Sequence, residues 1–176
     1  MKIGHQDKKN LLIEALSYIQ RFRNQIIVIK YGGAAMIEEA LKTSFAQDIV
    51  LLQSLGMRPV VVHGGGPEVS KVIQSLGQKV TFVDGLRVTT AENLKVAEMV
   101  LSGNLNKGII THLQTCGGKA VGLSGKDGNL IQADKKKLAS GIDLGYVGTI
   151  RQINPELLHL LIREQFIPVV SPIGMG

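Results

Sequence analysis

A chain of 176 residues with 44% apolar and 19% charged side chains can bury one sizeable core, which excludes a disordered or fibrous polypeptide. The formal charge of +6 could draw nucleic acid, but the basic residues are dispersed and only 4% of residues are aromatic, so base-stacking platforms are lacking. No apolar run approaches the roughly 20 residues that span a bilayer, and a lone cysteine, Cys116, excludes an internal disulfide.

Residues 1–10 are polar and lack the apolar core of a signal peptide, so a cytoplasmic protein without nucleic-acid or membrane partners is expected. The next stretch has helical apolar spacing, with Leu12, Leu16 and Ile19 on one side and Leu11, Ala15, Tyr18 and Phe22 adjoining. This helix can pack on its own domain or serve as an arm to another subunit; the sequence leaves both open. Two short β-branched runs, residues 26–29 and 60–62, each lead through glycines into a helical pattern. The helix between them, about residues 38–55, carries Leu41, Phe45, Ile49 and Leu52, and Gly56 and Pro59 mark its end.

A second helix is expected over about residues 68–76, then strand and turn around Val80, Phe82, Val83 and Gly85. A helix over residues 90–102 follows, with Thr90 as N-cap. Further on come a strand at 120–123, a hairpin-type turn at Asp127-Gly128 and a strand at 130–133, read together as a meander beside the main sheet. Lys135, Lys136 and Lys137 read as a solvated turn or strand end. Asn154 and Pro155 open a last helix, with Leu157, Leu158, Leu161 and Ile162 on its apolar face, before the strand at 167–170. The order predicts an α/β protein, a three-layer αβα sandwich around a mainly parallel sheet.

The most informative segments are Lys30-Tyr31-Gly32-Gly33 and His63-Gly64-Gly65-Gly66, because both stand between strand and helix, where open α/β sheets bind ligands. Glycines there can simply permit a tight turn, or they can bring backbone N–H groups up to an anion. Two such loops on successive strands, with a lysine before the first, favour the anion site. No G-x-x-x-x-G-K-[ST] or G-x-G-x-x-G occurs. His63-Gly64-Gly65-Gly66 is also similar to an esterase oxyanion loop, but the nucleophile elbow that chemistry needs is missing, since Gly122-Leu123-Ser124-Gly125 is followed by Lys126. His63 is therefore read as structural.

Val28-Ile29-Lys30-Tyr31-Gly32-Gly33-Ala34-Ala35-Met36, Val62-His63-Gly64-Gly65-Gly66-Pro67 and Asp84-Gly85-Leu86-Arg87-Val88-Thr89 together resemble the amino-acid kinase family. The third segment is similar to its acetylglutamate branch. Ala120-Val121-Gly122-Leu123-Ser124-Gly125-Lys126-Asp127-Gly128 and Pro168-Val169-Val170-Ser171-Pro172-Ile173-Gly174 extend the match over nearly the whole chain. The resemblance implies a helical arm at 1–24 and the N-acetyl-L-glutamate-binding lobe of that fold at 25–176. It further implies transfer of the γ-phosphate of ATP to the γ-carboxylate of N-acetyl-L-glutamate, a step of arginine biosynthesis. Lys30 would be catalytic, Gly32 and Gly33 would bind phosphate, and Gly64, Gly65, Gly66 and Arg87 would bind the substrate. ATP is the implied co-substrate with Mg2+, for which no ligand is assignable; no residue is assigned to a metal.

The implied partners are further copies of the chain, as a dimer or as a hexamer through the N-terminal helix, with arginine and the PII signalling protein as regulators. Gly176 comes before the family's asparagine and aspartate motif, its second lysine and its ATP-binding half, so the isolated chain is expected to be inactive. The alternative is a noncatalytic acetylglutamate- or arginine-binding module.

Overall fold

The computed structural model describes residues 4–176. The first three residues of the expected N-terminal arm lie outside the described residues. Helix α1 (His5–Phe22) leads into strand β1 (Ile26–Tyr31), a 3-10 turn at Gly33–Met36 and helix α2 (Glu39–Ser54), followed by β2 (Arg58–His63) and α3 (Gly66–Ser75). A two-stranded hairpin, β3 (Phe82–Val83) and β4 (Leu86–Arg87), precedes α4 (Ala91–Glu98), a π-helical segment (Met99–Leu105) and α5 (Asn106–Thr115). The rest comprises β5 (Ala120–Ser124), β6 (Ile131–Lys137), β7 (Asp143–Ile153), α6 (Glu156–Arg163) and β8 (Ile167–Ser171).

Four strands form the central sheet in the order β1-β2-β8-β5, all parallel. Parallel neighbours need crossover connections, and the helices between them cover both faces, giving the expected three-layer sandwich. Period-two alternation sorts the side chains. Val61, Ile167 and Val169 face Ile49 of α2 and Ile109 and Leu113 of α5, while Val60 and Val170 face Leu130 and Ile162 of α6. A third cluster joins Val69 and Ile73 of α3 to Val96, Val100 and Leu101 on the α4 and π-helical segments.

Two expectations change. The helix opening at Thr90, whose side chain caps Asn93 N–H at 3.2 Å, does not end at residue 102 but runs on through the π segment to Thr115. The helix carries Gly103 and Gly108, but Leu101, Ile109 and Leu113 are buried against neighbours, and that packing outweighs the propensity cost of about 1 kcal/mol per glycine. The Asp127-Gly128 turn is not a hairpin. It forms a short 3-10 turn, β5 joins the central sheet, and β6 pairs antiparallel with the unanticipated β7. The lysine run lies at the end of β6, with Lys135 bridged to Asp143 at 2.8 Å.

Helix α1 does not bury its stripe in its own domain: Leu11, Leu12, Leu16 and Tyr18 are all more than half exposed. Among the described residues no helix is long and apolar enough to cross a membrane.

Ile167 sits fully buried in β8, whereas Leu51 on α2 is 55% exposed. Ile167→Ala should cost about 2–5 kcal/mol in denaturant unfolding and Leu51→Ala no more than about 0.5 kcal/mol. Equal losses would contradict this assignment of core and surface.

Candidate anion site at the strand ends

The two glycine loops leave adjacent parallel strands at their C-terminal ends, and one hydrogen bond joins them: Gly64 N–H donates to the Tyr31 carbonyl at 2.9 Å. Below the first loop, Tyr31 is buried and stacks on Phe45 with ring centroids 3.9 Å apart. Its hydroxyl donates to the Ala35 carbonyl at 2.8 Å, closing the 3-10 turn on the strand end. Burial raises the Tyr31 pKa and nearby Glu39 adds to the rise, so this hydroxyl stays a donor at neutral pH. Lys30 is exposed at the same end of β1, and among the described residues it makes no ion pair.

The second loop ends in α3, with Gly65 at the N-cap and Pro67 in the first turn. Gly65 has φ +148° and ψ 27°, a backbone state open to glycine but strained for other residues, and Leu101 and Leu105 of the π segment crowd the space where a side chain would stand. Among the described residues no protein acceptor meets the N–H groups of Gly32, Gly33, Gly65 or Gly66. Four donors at the starts of two helical turns form a local positive field, the ordinary basis for holding an anion. Gly64 differs from its neighbours. Its N–H is taken by Tyr31 and its carbonyl lies 2.8 Å from His63 Nδ1, so it shapes the loop and offers no free donor.

Arg87 reaches this loop from the β3-β4 hairpin. Its Nη2 donates to the Gly66 carbonyl at 2.8 Å and to Ser70 Oγ at 2.7 Å, and the guanidinium lies 4.8 Å above the Phe82 ring. Its Nη1 is buried without a hydrogen-bond partner, as is Asn93 Oδ1. Burial lowers the Arg87 pKa, the mark of a cation drawn out of water without a compensating anion, though a guanidinium stays charged. The hairpin is itself braced, since Thr89 N–H donates to the Leu144 carbonyl and Tyr146 N–H to the Thr89 carbonyl, at 2.9 and 2.8 Å. The structure thus gathers Gly65, Gly66 and Arg87 in one group and Lys30, Gly32 and Gly33 in the adjoining loop.

His63 and Asn106 were not among the expected site residues. Both are buried, His63 at 1% and Asn106 at 0% exposure, and Asn106 Nδ2 lies 3.2 Å from His63 Nε2. Burial lowers the His63 pKa against the smaller opposing effect of its bond to Gly64, favouring the neutral ring. Asn106 had no legible signal, because its partners stand 43 and 63 residues away in sequence. Gly65→Ala is expected to cost about 1–3 kcal/mol of stability from backbone strain alone. A melting curve matching that of the parent would show that the loop is free to relax.

A sequence profile described as the amino acid kinase family matches residues 25–176. Among similar curated proteins, the acetylglutamate kinase of Bordetella petrii is 51% identical over 96% of this chain and 58% of its own length. That of Vesicomyosocius okutanii is 49% identical over 95% of this chain and 56% of its own. The chain therefore spans less than two thirds of these relatives. The solved N-acetylglutamate synthase of Neisseria gonorrhoeae, complexed with coenzyme A and N-acetyl-glutamate, superposes with a TM-score of 0.79 at 25% identity, covering 94% of this chain and 37% of that one. Isopentenyl phosphate kinase shares the fold at a TM-score of 0.51 and 16% identity. With the parallel sheet, the paired glycine loops and a profile match over most of its length, this chain belongs to the amino acid kinase family.

Proposed function

We propose that this chain forms the acceptor-binding part of an enzyme that transfers the γ-phosphoryl group of ATP to the γ-carboxylate of N-acetyl-L-glutamate, in arginine biosynthesis in the cytoplasm. The observation that carries the reading is the buried, unpartnered Arg87 Nη1 beside the free amides of Gly65 and Gly66. N-acetyl-L-glutamate, which has lost its amino charge to the acetyl group, presents two carboxylates, one on the α-carbon and one on the side chain. Arg87 suits one of them, since its planar fork retains a free arm while the other is tied to Gly66 and Ser70. The second carboxylate is ionised at neutral pH and is a competent nucleophile without a base. Catalysis then consists of alignment and charge neutralisation.

In this reading Lys30 and the free N–H groups of Gly32 and Gly33 neutralise the oxygens of the transferring group. The kinase reaction also calls for a divalent cation. Among the described residues no cluster of three or more His, Cys, Asp or Glu side chains stands ready to hold one, so no step here is assigned to it.

The test is a phosphorylation assay with N-acetyl-L-glutamate, glutamate, aspartate and carbamate, on the chain and on the longest product of its reading frame, with calorimetry on the 176-residue chain. N-acetyl-L-glutamate should bind the chain and ATP only weakly. Arg87→Ala should weaken acetylglutamate binding ten- to hundredfold, the equivalent of a charged hydrogen bond worth about 1.5–3 kcal/mol. Lys30→Ala should lower turnover more than affinity, since its charge matters most as the phosphoryl group moves. Preference for another acceptor, or a folded Arg87→Ala that binds like the parent, would refute the assignment.

Further copies of the chain are the proposed cover for the exposed stripe of α1, because Leu11, Leu12, Leu16 and Tyr18 have no burial within the subunit. Arginine and a PII-type protein are the proposed regulators of that assembly. Deleting residues 1–22 should leave the fold intact and reduce a hexamer to a dimer in light scattering; an unchanged mass would remove the role given to α1.

A further inference from the structure

We infer that Asn106, acting through His63, is a positioning residue that turns the Gly65 N–H toward the ligand side of the loop. The inference deepens the proposed reading of residues 64–66 and rests on it for the identity of the ligand.

The geometry leaves one consistent set of proton positions. His63 Nδ1 lies 2.8 Å from the Gly64 carbonyl oxygen. A carbonyl can only accept, so Nδ1 carries the ring proton. The neutral ring then has a bare Nε2, which must accept, and Asn106 Nδ2 stands 3.2 Å away as the donor. The orientation of the Asn106 amide is fixed in turn by the Val169 carbonyl, 2.9 Å from Nδ2, and by Lys107 Nζ, which stands 3.5 Å from Oδ1. Turning the amide over would set Oδ1 against the Val169 carbonyl and leave two acceptors facing each other. The two amide protons are thus committed to Val169 and His63, with the Leu123 carbonyl farther off at 3.4 Å.

The consequence reaches the site through a single peptide unit. In a trans peptide the C=O and the following N–H point in opposite directions. Drawing the Gly64 carbonyl to His63 therefore turns the Gly65 N–H away from that ring, where among the described residues it meets no acceptor. The other neutral tautomer would place a bare Nδ1 against the carbonyl, repel it and release that peptide. Asn106 is brought to this position by the π-helical segment. Its wide turn lets Ser102 reach Ser171 Oγ at 2.7 Å and, four residues on, Asn106 reach β2 and β8. Wide turns of this kind are concentrated at functional sites.

Two readouts test the inference on the 176-residue chain. Long-range proton–nitrogen spectra of the ligand-free protein should show His63 protonated at Nδ1 and bare at Nε2. Asn106→Asp replaces the donor by an acceptor of the same shape, so the ring should move its proton from Nδ1 to Nε2, and acetylglutamate affinity should fall about tenfold or more in calorimetry. His63→Asn keeps an amide N–H near the position of Nδ1 and should bind more tightly than His63→Ala; rescue of this kind is not expected of a residue that merely fills space. If Asn106→Asp does not fold, Asn106→Ala serves the same purpose and should give a mixture of tautomers with weakened binding.

An Nε2–H ring in the parent, an unchanged tautomer in a folded Asn106 variant, or an altered tautomer with parental affinity would each overturn the inference. Absence of acetylglutamate binding in the parent would instead overturn the proposed substrate, because the tautomer is read without ligand.

Discussion

The whole site hangs on the backbone of one residue, Gly64. Its N–H is committed to the Tyr31 carbonyl on the neighbouring strand and its C=O to His63 beneath it, so neither group is free to turn toward water or ligand. The first bond sets the two glycine loops side by side. The second orients the next peptide. Breaking either would leave a buried polar group unsatisfied at a cost of about 1–3 kcal/mol, and that asymmetry is what makes the loop rigid. Rigid donors need no reorganisation when an anion arrives, which is the main advantage a protein site has over water.

Around this point the fold separates two tasks. The sheet supplies stiffness: β8 is buried along its length, and Val169 and Val170 pack on opposite faces while their neighbours in β2 do the same. The peripheral elements supply reach. Arg87 comes from a hairpin of two residues per strand, too short to hold itself, and is steadied by the β7 backbone on one side and by Gly66, Ser70 and Phe82 on the other. A guanidinium tied at one nitrogen and free at another is positioned in advance, so binding an anion there costs little side-chain entropy.

Much of the layout was legible from local pattern. The β-branched runs at 26–29 and 60–62, the Thr90 cap and the apolar face of Leu158 and Ile162 each encode structure within a few residues, where hydrophobic period and capping chemistry act. Reading failed where a long-range contact overrode a local preference. The π segment and α5 continue a helix past Gly103 because burial of Leu101, Ile109 and Leu113 outweighs the glycine penalty. The Asp127-Gly128 turn has hairpin chemistry, but its flanking strands find different partners, β8 for β5 and β7 for β6.

Turn chemistry and apolar spacing are properties of neighbouring residues, and they encode the alternation of strands and helices and mark the glycine loops; Arg87 became a candidate through the family resemblance. Which donors are free depends on the folded chain. Gly64, Gly65 and Gly66 are indistinguishable as letters, yet the first is spent on Tyr31 and His63 and the other two are open. Asn106 is one polar residue in a helix until the fold sets it against His63 and Val169. Hydrogen-bond satisfaction depends on atoms far apart in the chain, and no local pattern records it.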